Sequence, residues 1–219
     1  MNRHARAFVF IPLLMLLPAR VQAETYVAGQ LGWSFPNDVS HVEGTKHLAG
    51  FTVSDVALQN NLMYGAKLGH FFDRARWFGV ETEIFNSTPH QKQQTVTITG
   101  AGISLPTPVQ GTLLRVTTWA FNAVVRYPGE RFQPYAGVGL GVFFAHAGDA
   151  SDTTVGFNAL AGARIFLTKQ FAAFAEYKYQ RASGEFSASI PGIGPAGLKG
   201  DYSANSLVAG LSYHLDLFK

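Results

Sequence analysis

Eight stretches of this chain alternate residue by residue between an apolar side and a side of Gly, Ser, amide or charge. Past residue 23 no apolar run approaches the roughly 20 residues that a bilayer-spanning helix needs. In the first stretch Val27, Leu31, Trp33 and Phe35 share one parity, opposite Ala28, Gln30, Gly32 and Ser34. In the third, Phe78, Val80, Thr82 and Ile84 oppose Gly79, Glu81 and Glu83. The others lie around 62–72, 118–127, 135–144, 155–165, 173–180 and 206–217. Period-two alternation means strands with two different faces. An even number of strands is what a closed antiparallel barrel in a membrane requires.

Which face meets which medium follows from charge. Charged residues are 14% of the chain, against roughly a quarter in soluble proteins, while aromatics reach 13%. The glycine-rich parity carries too few charges to cover a water-exposed exterior, which argues against a soluble carrier barrel with an apolar interior. The apolar parity therefore faces lipid and the polar parity faces the lumen. That inward parity collects Lys67, Glu81, Glu83, Arg126, Arg164, Glu176 and Lys178. Eight strands leave room only for side chains, so these charges are expected to form an ion-pair network that fills the lumen. Gly137, Gly139 and Gly141 are expected to make space for Tyr and Arg side chains from opposite strands.

The connections predict two unlike rims. Asp73 to Arg76, Pro128 to Arg131 and Thr168 to Gln170 read as tight turns. Long polar stretches near 37–60, 87–111 and 182–203, with a shorter one near 145–153, read as loops. The expected fold is all-β: an eight-stranded antiparallel transmembrane up-and-down β-barrel with short periplasmic turns and long extracellular loops. Pro106-Thr107-Pro108 and Gly194-Pro195 are read as ordered turns at loop tips, and the apolar runs Ala49 to Val53 and Ser189 to Pro195 as packing on each other or continuing the barrel above the membrane as hairpins, with a partner-binding surface as the alternative.

Residues 1–23 have a basic start with Arg3 and Arg6, an apolar run from Ala7 to Leu17 and a small-residue end at Val21-Gln22-Ala23. That is the pattern of a cleavable signal peptide, leaving 24–219 as the barrel domain. Loss of Arg3, Arg6 and Arg20 from the 17 basic residues brings them level with the 14 acids. No basic cluster remains, so no nucleic-acid partner is expected. The chain has no cysteine, which excludes thiolate metal sites and redox chemistry.

The segment Gln133-Pro134-Tyr135-Ala136-Gly137-Val138-Gly139-Leu140-Gly141 and the closing strand Gly210-Leu211-Ser212-Tyr213-His214-Leu215-Asp216-Leu217-Phe218 resemble the outer-membrane β-barrel superfamily. Over the whole of 24–219 the chain is similar to small eight-stranded barrels such as the OmpA transmembrane domain, OmpX and the opacity-type proteins. The resemblance implies a Gram-negative type outer membrane and recognition of the C-terminal strand by the barrel-assembly machinery. A lysine follows Phe218, where the family usually ends on its aromatic residue.

Chemistry is thinly represented. His41, His47 and His90 fall in the long stretches without metal-ligand spacing, His70 and His214 fall near the short-turn rim, and His146 opens a loop at the other rim. No Ser-His-acid grouping can be assembled from sequence. No catalytic, cofactor-binding or metal-ligating residues are therefore expected. The expected role is structural or surface-interacting, with an unidentified surface ligand. A small porin-like channel is the alternative, and an outer-leaflet lipid-modifying enzyme the least favoured. Membrane lipid and lipopolysaccharide are the remaining expected partners. Trp119 lies eight residues from Tyr127 on the same parity, roughly 20 Å of membrane height at ~3.3 Å per residue and a 40° tilt. Arg115 continues that parity upward and is the expected contact for a lipid phosphate.

Overall fold

The computed structural model describes residues 24–37, 40–46, 49–54, 58–89, 94–100, 103–109, 114–147, 150–190 and 194–215. The signal-peptide reading of 1–23, His47, His90 and the C-terminal tail beyond 215 lie outside them. The strands are β1 (Glu24–Pro36), β2 (Ser40–Lys46), β3 (Thr52–Val53), β4 (Asn61–Phe72), β5 (Ala75–Ser87) and β6 (Gln94–Gly100). They continue as β7 (Ile103–Val109), β8 (Leu114–Arg126), β9 (Phe132–Ala147), β10 (Ala150–Phe166), β11 (Phe171–Ile190) and β12 (Gly194–Leu215).

Eight of these, in the order β1-β4-β5-β8-β9-β10-β11-β12, close into an antiparallel barrel through the β1–β12 seam, which runs from Thr25↔Leu215 to Pro36↔Ala204. Closure leaves no edge at this level, so every ladder group of the wall has a neighbour. Burial alternates along the strands as the residue types do. On β1 Tyr26, Ala28, Gln30 and Ser34 are buried while Val27, Leu31, Trp33 and Phe35 are exposed. The outward leucines Leu140, 62% exposed, and Leu211, 60% exposed, stand on a face that is unfavourable in water and favourable in hydrocarbon.

The inside is filled in layers. Tyr26, Ala28, Phe71, Val124, Tyr135, Leu160 and Phe174 form an apolar cluster toward the short turns. Met63, Phe85, Ala120 and Val208 form a second one higher up, and Val116, Phe143 and Ala182 a third. The inward glycines make this filling possible, by a different rule from the one expected. A Cβ on Gly139 would collide with the backbone of Phe121 and the side chain of Asn122, and on Gly141 it would press on Thr118 and Phe143. These neighbours are on adjacent strands or the same one, not Tyr and Arg from across the barrel. Elsewhere a glycine faces an inward ring: Gly79 lies against Phe71, and Gly210 against Phe174.

One rim is closed by short turns at 73–74, 127–131 and 167–170. In the last, Thr168 Oγ1 accepts from the N–H groups of Gln170 and Phe171 at 3.2 and 2.9 Å. At the other rim much of what alternation alone assigned to loops is strand. β11 and β12 form one unbroken hairpin, from Phe171↔Tyr213 to Ile190↔Gly194, so most of 182–203 is paired. β9 and β10 pair as far as Ala147↔Ala150, leaving only 148–149 between them. β2, β3, β6 and β7 carry the wall upward from β1, β4, β5 and β8 as a sheet in the order β12-β2-β3-β6-β7. Pro106 and Pro108 lie inside β7, not at a tip. A strand tolerates them because β7 is the end of that sheet.

Candidate functional site: an ion cluster across the lumen

Between the first two apolar layers the inward parity brings five charges together. Lys67 on β4 reaches Glu81 Oε1 at 3.0 Å and both Glu176 oxygens at 2.9 and 2.8 Å. Glu83 stands 3.6 Å from it. Lys178 on β11 bonds Glu83 and, at 2.8 Å, Glu176 Oε1. The remaining lone pairs of the carboxylates are taken by neutral donors. Tyr26 donates to Glu81 at 2.5 Å, Tyr135 to Glu176 at 3.0 Å, and Gln30 to Glu83 at 3.2 Å. Asn122 and Asn158 each donate to Glu83 Oε1 at 3.1 Å. Every barrel strand except β12 supplies a side chain.

Desolvating five charges is costly unless each has partners on all sides, and here each does. Three acids against two lysines leave one negative charge. Arg164 stands nearest to balance it. Its guanidinium lies 4.1 Å from the Tyr26 ring and 5.5 Å from that of Tyr135, the two tyrosines that donate to Glu81 and Glu176. Arg164 thus touches the cluster through aromatic rings instead of pairing with a carboxylate. Arg126 is separate from it. It pairs with Glu24 at 2.5 Å, donates to the Arg76 carbonyl and to Gln133, and covers the Phe71 ring at 3.7 Å. Of the seven inward charges, five therefore meet in one cluster, one joins by stacking and one closes the short-turn rim.

At that rim the structure assembles a grouping that sequence did not reveal. Ser212 Oγ lies 3.0 Å from His214 Nε2, and His214 Nδ1 lies 2.7 Å from Glu24 Oε1. The order of groups is that of a hydrolase triad, but access is missing. Ser212 is 1% exposed, and the rings of Tyr26 and Phe166 lie against His214 at 5.3 and 4.7 Å between centroids. Ser212 Oγ also reaches the Ala172 carbonyl at 3.3 Å. A carbonyl substrate would find no space beside that buried oxygen, so the grouping works as a packed floor in which only Ser212 and His214 are hydrogen-bonded to each other.

Residues 8–214 match the family model of the outer membrane protein beta-barrel domain. The chain belongs to that family. No curated protein matches it in sequence. Among solved structures this outer-membrane barrel is similar to OprG from Pseudomonas aeruginosa, at 14% identity and a TM-score of 0.64, covering 90% of this chain and 97% of that one. Neisserial surface protein A aligns at 14% identity and a TM-score of 0.57, over 86% and 96% of the two chains. The outer membrane protein AlkL, solved in lipid bilayers, aligns at 18% identity and a TM-score of 0.51, over 98% and 97%. At these identities the likeness is one of fold.

On the outside of this outer-membrane barrel, Tyr127 is 68% exposed beside the 127–131 turn, and Trp119 lies higher on β8, its Nε1 donating to Thr82 Oγ1 at 2.9 Å. Arg115 is exposed above Trp119 and opposite His146 of β9. Among the described residues no group of His, Asp or Glu has the arrangement of a metal site.

Proposed function

We propose that this protein is an integral barrel of a Gram-negative type outer membrane with a structural or surface-interaction role, its short turns on the periplasmic side and its extended strands outside. Residues 1–23 serve for export and are then removed. The observation that carries the reading is the ion cluster: Lys67, Glu81, Glu83, Glu176 and Lys178 bond to one another across the lumen, between two apolar layers. A plug drawn from nearly every strand closes the barrel to ions and leaves its outer surfaces as the parts able to meet a partner. The occlusion of Ser212 supports a role without catalysis. Single-channel recording of the purified full chain in planar bilayers tests the reading. The expected record shows no stable large openings, and such openings at the density of inserted barrels would overturn it in favour of a channel.

A further inference from the structure

Above the barrel proper the wall divides. β10 pairs with β11 only from Phe166 up to Gly156, and beyond that point it follows β9 alone. β11 continues to Ile190 against β12, and β7 ends the raised sheet with β6 as its one neighbour. Among the described residues the longest open strand edges are upper β10, β7 and upper β11.

An open edge is a row of backbone donors and acceptors that another strand can join. Two of the three are obstructed. Thr97 of β6 donates its N–H to Ser54 Oγ and accepts from the Ser54 N–H, both at 3.0 Å, so its polar backbone points away from β7. Its cross-strand partner Pro106, and Pro108 two residues on, therefore turn their backbone to the open side. Neither has an N–H to offer. On β10 the N–H of Thr153 is already taken by Asp152 Oδ1 at 2.8 Å. Among the described residues β11 shows no such device. Its Ser183 carbonyl faces β10, where Thr154 Oγ1 donates to it at 2.7 Å. By the two-residue period Glu185, Ser187 and Ser189 turn their backbone N–H and C=O to that same side. None of them is proline, and the ladder to β12 does not use those groups.

We propose that the edge of β11 over residues 184–190 accepts an extended segment of another polypeptide as an added strand. The proposal rests on the surface-interaction reading and names the surface. Among the described residues the other two open edges are ill suited to fill it: β7 presents Pro106 and Pro108, and the Thr153 N–H of β10 is already taken. A second copy in the same membrane is a poor occupant. Two barrels side by side are related by rotation about the membrane normal, so their β11 edges run the same way. A parallel ladder is staggered and cannot be made symmetric about an axis along the strands. Main-chain pairing gives such a site affinity for extended polypeptide of many sequences.

The probe is a fluorescent decapeptide of alternating threonine and valine, with an analogue N-methylated at every second residue, titrated against the full chain in nanodiscs. Ser187→Pro removes one outward N–H and leaves the β12 ladder whole, as Pro106 does on β7. Binding of the unmodified peptide is expected to weaken at least tenfold in Ser187→Pro and on N-methylation. Hydrogen exchange should slow at Glu185, Ser187 and Ser189 when the peptide is present. Equal binding by wild type and Ser187→Pro, protection confined to other strands, or concentration-dependent dimers abolished by Ser187→Pro would each overturn the proposal. Channel openings would remove the plugged-barrel reading without altering any of these readouts.

Discussion

Gly69 and Tyr26 are cross-strand partners, and a Cβ on Gly69 would sit 2.5 Å from the Tyr26 hydroxyl oxygen. Tyr26 cannot move aside. It is 1% exposed, stacks on Phe71 and His214, lies under Arg164 and donates to Glu81. Gly69→Ala should therefore destabilise the barrel by roughly 1–3 kcal/mol, the usual range for overpacking. Gly29→Ala has nothing within 4 Å of the new methyl and should be near neutral. Urea midpoints of the two variants in the same lipid check the contrast, and equal midpoints would show that Tyr26 is not fixed.

Lys178 bonds both Glu83 and Glu176, whereas Lys67 is shared with Glu81 and stands 3.6 Å from Glu83. Lys178→Met should cost about 3–5 kcal/mol by leaving buried carboxylates short of a cation. Adding Glu83→Gln to that variant should restore part of the loss. A double-mutant cycle measures the coupling, and strictly additive effects would mean that the two groups do not share one network.

The floor of the barrel offers a test of chemistry. With Ser212 covered by its surroundings, a fluorophosphonate probe should leave the folded wild type unlabelled. Ser212→Ala should lower stability by about 1 kcal/mol through loss of a buried hydrogen bond. Phosphonylation of Ser212 in the intact barrel, read by mass spectrometry, would mean that the Ser212, His214 and Glu24 grouping is open to substrate.

Arg115 is the outward cation above Trp119, in line with lipid phosphates if the strand extensions lie outside the cell. Arg115→Gln should lower the unfolding midpoint in bilayers containing lipopolysaccharide and leave it unchanged in phosphate-poor ones. The same shift in both membranes would rule out phosphate contact.

Much of this was open to reading from the chain because strand parity is local. Leu140, Ala161 and Leu211 are outward and Lys67, Glu81 and Glu176 inward, as alternation places them. Pairing inside the lumen is another matter, since it depends on how far neighbouring strands are staggered. Nothing in the sequence says that Arg126 meets Glu24 while Arg164 meets the rings of Tyr26 and Tyr135. Ser212, His214 and Glu24 come together only because the seam brings the two ends of the barrel side by side. Above the rim, the strands resemble loops because they are rich in Thr, Ser, Gly and Pro. Pro106 and Pro108 were misleading for a related reason: a proline signals a break unless its missing N–H happens to point off the sheet.

The seam also governs the order of assembly. Neighbouring hairpins such as β11–β12 join residues close in the chain, and each can zip from its own turn. Thr25 and Leu215, by contrast, can meet only after all the intervening strands are in place. Closing that last pair carries the largest loop entropy of any contact in the protein, and no local interaction prepares it. Insertion of this chain should therefore pass through an open, curved sheet whose first and last strands are the ones that any assembly factor would have to hold.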